Sequence, residues 1–98
     1  MRLFLVLFLM LWVSGCASYV PEEEMVIAEA AIKAARTQEA HTVAPQLFQR
    51  AEESYRLAKR AFEDREYDLA KSLAIKARDF AEKAENTAVL KQQGKTGP

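Results

Sequence analysis

The side chain best placed for covalent chemistry is the thiol of Cys16, the single cysteine of this 98-residue chain. It follows an uncharged apolar run, residues 3–13, and two small residues, Ser14 and Gly15, with Arg2 ahead of the run. Positive charge, apolar core and small residues, in that order, are the layout of a secretory signal peptide cut at the small residues. The run is too short to cross a hydrocarbon core of ~30 Å, which takes about 20 helical residues. With no second cysteine the thiol has no disulfide partner within the chain, and an unpaired thiol in an exported protein needs another fate. Little else in the chain suggests chemistry. His41 is the only histidine, and no His/Cys/Asp/Glu spacing suggests a metal site. No nucleophile–base pair, paired catalytic carboxylates or phosphate loop is present. The expectation is therefore no enzyme, no cofactor and no metal. Charge is balanced, and removal of Arg2 with the leader tips the remainder slightly acidic. Without a basic patch carrying interleaved aromatics, nucleic acid is not an expected partner.

Val13-Ser14-Gly15-Cys16 resembles the lipobox of bacterial lipoproteins. That resemblance implies a diacylglycerol, with palmitate-type chains, on the Cys16 thiol. It also implies cleavage between Gly15 and Cys16, with Val13, Ser14, Gly15 and Cys16 as the peptidase recognition residues. Two or three acyl chains would make membrane attachment effectively permanent, since each buried CH₂ adds about 0.8 kcal/mol. Ala17 and Ser18 follow the cysteine, where an Asp would imply retention at the inner membrane, so the family's sorting pattern implies the outer membrane, facing the periplasm.

The elements behind this anchor are helical. Residues 1–15 form the leader, 16–21 a lipidated tether, 22–91 a helical domain and 92–98 a disordered tail. Helices are expected at about 21–40, 45–63 and 66–91. Pro21 and Glu22, Glu23 and Glu24 suit a helix start. Met25, Ala28, Ile32 and Ala35 form the first apolar stripe, and Glu29 and Lys33 an i,i+4 pair. Pro45 opens the second helix, whose stripe is Ala44, Phe48, Ala51, Tyr55, Ala58 and Phe62, widened by Leu47, Leu57 and Ala61. Arg65 stands where a glycine would end that helix more comfortably. The third helix carries Tyr67, Ala70, Ala74, Ala77, Ala81, Ala84 and Ala88 on one seam, flanked by Leu69, Leu73 and Phe80, with Asp79 and Lys83 as a further pair. Alanine lets helix axes approach closely. The expected packing seam is Ala51, Tyr55, Ala58, Phe62, Tyr67, Ala70, Ala74, Ala77 and Ala81. At ~1.5 Å per residue the third helix is the longest, and its last turns should overhang their partner. No strand pattern occurs. The expected fold is all-α, a small three-helix up-down-up bundle.

The segment from Ser54 to Ala77 resembles one tetratricopeptide (TPR) hairpin, with Ala58, Ala61, Tyr67, Ala70 and Ala77 at its small and turn-side aromatic positions. It departs from that repeat at Arg65 and Glu66, which replace a Gly-Asp turn, and at Ala74, which replaces a large residue. No Pro closes the unit near Glu82, and no second repeat follows. Lipobox and alanine-rich hairpin together resemble short bacterial envelope lipoproteins that carry a helical domain of unknown function. Two roles fit. One is a binding or adaptor module that holds an envelope partner. The other is a structural lipoprotein that self-associates, as a homo-oligomeric helical bundle or a spacer between membrane and cell wall. A terminal Lys95-Thr96-Gly97-Pro98 in place of a free terminal lysine argues against covalent wall linkage.

Overall fold

A computed structural model describes residues 1–11 and 19–95, so Val13, Ser14, Gly15 and Cys16 lie outside the described residues. The described chain is all-α, with helices α1 (Arg2–Leu11), α2 (Glu22–Thr37), α3 (Ala40–Val43), α4 (Pro45–Glu63) and α5 (Tyr67–Lys95). Its extents of 82 × 28 × 14 Å describe an elongated molecule, not the compact bundle expected. α1 packs against no other helix, and its apolar side chains from Leu3 to Phe8 are exposed. Among the described residues no helix is long and apolar enough to cross a membrane.

α5 is the element on which α2, α3 and α4 pack, with α4 and α2 both lying along it and touching each other much less. The cause is its seam. Ala70, Ala74, Ala77, Ala81, Ala84 and Ala88 step by four and three residues, and all are fully buried. A strict 3.5-residue repeat keeps one stripe facing its neighbours along the whole helix. One buried cluster joins Ala28 of α2, Ala58 of α4 and Ala74 and Ala77 of α5. A second joins Ile32, Ala35, Ala40, Ala44, Phe48 and Ala51 to Ala81, Ala84 and Ala88. α2 and α5 therefore run the same way, and α4 returns between their ends.

The helix ends follow from local chemistry. Pro45 occupies the first position of α4, where its missing N–H costs nothing, and Ala44 before it lies outside the helical region at φ −131° and ψ 61°. α4 ends in a Schellman turn: the Glu66 N–H donates to Ala61 O at 2.9 Å and the Arg65 N–H to Phe62 O at 3.1 Å. This places Arg65 at φ 61°, the left-handed region that favours glycine.

Several expectations are corrected. Pro21 caps α2 rather than beginning it. The helix expected to reach residue 40 stops at Thr37, because Glu39 adopts φ 61° and ψ 28°, and the chain makes the separate short turn α3. α5 begins at Tyr67 and continues to Lys95, past the residue 91 where a disordered tail was expected. Its last turns do not overhang. Lys91 Nζ donates to Val43 O at 3.0 Å and Gln92 Nε2 to Gln38 O at 2.9 Å, closing the corner where α2, α3 and α4 meet. Both acceptors lie at helix C-terminal ends, where unpaired carbonyls and the helix dipole favour a cation or a donor. Leu57 and Leu69 are exposed instead of flanking the core. Glu29 and Lys33 do pair, at 3.3 Å. Asp79, however, is drawn to Arg78 at 3.4 Å, and Lys83 lies over the Phe80 ring instead.

Candidate binding groove

Because α2 and α4 are held mainly through α5, the line between them is an open furrow. The expected seam residues divide there. Ala51, Ala58, Ala70, Ala74, Ala77 and Ala81 are fully buried. Tyr55, Phe62 and Tyr67 are only half-buried, and on α4 their expected places facing the core are taken by Ser54 and Ala61. The reason is steric and local: where α4 lies along Ala70, Ala74 and Ala77 the alanines set a close approach that leaves a ring no room, whereas Phe48, nearer the α3 corner, is buried in the cluster with Ala81, Ala84 and Ala88. The stripe rotates by one residue, and the rings emerge at the edge toward α2.

Tyr55 stands at the centre of this furrow. Its hydroxyl donates to Glu29 Oε2 across the gap at 3.4 Å. Burial, and then the Glu29 carboxylate, push the Tyr55 pKa up, so the hydroxyl remains a protonated donor at neutral pH. Toward the start of α2 the furrow is lined by Met25, Val26, Lys59 and Phe62, with Glu22 and Glu63 at its mouth. Val26 is 64% exposed, an unusual position for a β-branched apolar side chain on a helix that already has a buried face. Toward α3 the lining is Glu29, Ile32, Lys33, Arg36 and Glu52. There Arg36 binds Glu52 at 2.7 Å and covers the Phe48 ring, 5.4 Å from its centroid, closing that end. The α4 rim carries Arg56, Lys59 and Arg60 beside Tyr55, with the Lys59 ammonium 5.6 Å from the Tyr55 centroid. The furrow offers apolar surface, a rim of both charges and a tyrosine face.

The remaining sequence candidates sit elsewhere. His41 is exposed on α3 and stacks obliquely on Phe48 at 5.8 Å. Tyr67 meets Phe62 edge-on at 5.6 Å, packing the α4–α5 turn. Among the described residues no group of His, Cys, Asp and Glu is placed to hold a metal ion. Cys16, the residue expected to carry the lipid, is outside the described residues. The tether after it is not free, however: the Tyr19 hydroxyl donates to Glu24 Oε1, and the Lys71 ammonium of α5 lies 4.8 Å from the Tyr19 ring centroid. Nothing in local composition marks this contact, since it joins residues far apart in sequence.

The family model described as a domain of unknown function (DUF4398) matches residues 23–96, and the chain belongs to that family. No curated protein matches the chain, and no solved structure does.

Proposed function

We propose that this DUF4398 protein is a lipid-anchored component of a bacterial envelope whose helical domain is a non-catalytic binding module of the adaptor kind. In this reading Val13, Ser14 and Gly15 are the recognition residues of a leader cut after Gly15, and Cys16 carries the lipid. The default destination is the outer membrane, facing the periplasm. α4 and α5 are the TPR-like hairpin, and α2 completes an up-down-up arrangement on it.

The observation that supports binding over self-association is the division of apolar surface. The alanine seam, the feature most suited to helix–helix assembly, is fully buried within the chain. Apolar side chains are gathered instead along the furrow, where Met25, Val26, Tyr55 and Phe62 lie together, bordered by Arg56, Lys59 and Arg60 and by Glu22 and Glu63. A protein segment with apolar side chains flanked by charged residues of both signs matches that surface.

Two measurements test the parts separately. An alkyne fatty acid should label the wild type and not Cys16→Ala, and equal labelling of both would refute the anchor. A photo-crosslinking residue at Phe62 should capture a different envelope protein, while one at Leu90 should not. Capture only of second copies from Phe62 would favour the structural, self-associating role.

A further inference from the structure

The docked tether determines which end of the domain meets the membrane. We infer that the domain stands on the lipid surface on its α4–α5 turn, with the α3 corner pointing away, held by the contact of Tyr19 with Glu24 and Lys71. The inference rests on lipidation of Cys16.

Cys16 precedes Tyr19 by three residues, and three extended residues reach about 10 Å at most. Tyr19 is fixed to α2 through Glu24 and to the first turns of α5 through Lys71. Pro21, two residues on, is a fully buried side chain, so the tether is pinned at both of these points. Cys16 can therefore lie no further than about 10 Å from Tyr19, which sits at the end that holds the start of α2 and the turn at Asp64, Arg65 and Glu66. The α3 corner, closed by Lys91 and Gln92, lies at the opposite end. From Lys71 to Gln92, at ~1.5 Å per residue, the axis of α5 advances about 32 Å.

The charges at the near end make it a stand-off, not an adhesive. Glu22, Glu23, Asp64, Glu66 and Asp68 are all exposed there, with Arg65 and Lys71 among them. Repulsion from anionic headgroups is largely screened beyond a Debye length of about 8 Å at physiological salt. A tether of that reach leaves room for such a gap. The furrow then runs up from the membrane, with Phe62 and Val26 near the bilayer and Arg36 and Glu52 away from it.

The absence of any other cysteine supplies the test, because a cysteine introduced into the lipidated protein is its only free thiol. The full-length protein, processed in a bacterial host, is reconstituted in phosphatidylethanolamine/phosphatidylglycerol vesicles containing a nitroxide-headgroup lipid. A fluorophore is placed at Arg65→Cys or at Leu90→Cys. Quenching should be severalfold stronger at position 65 than at position 90. Adding Tyr19→Ala and Lys71→Ala should reduce that contrast by more than half while the far-ultraviolet helical signal is kept. Protein that floats with the vesicles yet is quenched equally at both positions, or more at 90, overturns the orientation alone. A contrast unchanged by Tyr19→Ala and Lys71→Ala overturns the role of the contact. Protein that does not float overturns the anchor, and this orientation with it.

Discussion

Ala77→Leu adds hydrophobicity and keeps good helix propensity, so surface-based reasoning would score it as harmless or stabilising. The structure argues the reverse. Ala77 is 0% exposed and shares a buried cluster with Ala28, Ala58 and Ala74, one contribution from each of α2 and α4 and two from α5. A leucine fully buried in existing space would gain about 1.5–3 kcal/mol. Here the space is occupied by backbone and methyl groups of three helices, so the side chain must push axes apart. Overpacking of that kind costs about 1–3 kcal/mol. A domain of this size has roughly 3–5 kcal/mol in total. At about 4–8 °C per kcal/mol, the melting temperature should fall by roughly 5–20 °C. Ser72→Leu, on the exposed side of the same helix, is the control and should change little. Thermal unfolding followed by far-ultraviolet circular dichroism decides between the two. If Ala77→Leu melts at or above the wild type while Ser72→Leu is neutral, the seam is not close-packed, and the derivation of the furrow from it fails.

Arg65→Gly should stabilise the protein by about 0.5–1 kcal/mol, because glycine relieves a left-handed conformation that costs an ordinary residue about 1–2 kcal/mol and gives part of that back as unfolded-chain entropy. A lower melting temperature for Arg65→Gly would show that the Arg65 side chain contributes more than its backbone costs. The third prediction concerns acid. The hydrogen bond from Tyr19, a backbone hydrogen bond and the Lys71 charge hold the Glu24 carboxyl below the usual glutamate range. A depressed folded-state pKa stabilises above the unfolded value of about 4.3 and is lost as pH falls through the folded value. Tyr19→Phe keeps the ring over which Lys71 lies but removes the donor, so its stability should fall less steeply than wild type below about pH 4.3. Denaturant titrations across that range test it, and parallel pH profiles would count against the contact.

The parts of the fold legible in the sequence are those set by residues close together. Pro45 fixes the start of α4 because its ring and missing N–H act on its own turn. The seam of α5 is readable because alanines recur at a period that only one helix face satisfies. Arg65 is readable as an uncomfortable helix end because a polar turn lies between two apolar stripes. Glu39 carries no such mark. Thr37-Gln38-Glu39 contains neither glycine nor asparagine, and the left-handed turn there is imposed from outside, by burial of Ala40 and Ala44 and by the donors of Lys91 and Gln92. The docking of Tyr19 on Lys71 is hidden for the same reason.

The furrow stands between these cases. A single periodic stripe on α4 predicts one buried face, and Tyr55 and Phe62 belong to it on spacing alone. α4 has two neighbours, however, and they make different demands. Past Phe48, which is buried with Ala81, Ala84 and Ala88, the α5 side takes small residues, and Ser54, Ala58 and Ala61 are the buried positions there. The rings are displaced to the α2 side, where α2 is itself held close to α5 by Ala28 and Ala35 and stands off from α4. The alanines that draw three helices together thus also leave a line along which two of them meet only sparsely. The large side chains excluded from the seam line that gap. Fold and candidate site have one cause in this chain, and a substitution that opens the seam should therefore alter the furrow before it unfolds the domain.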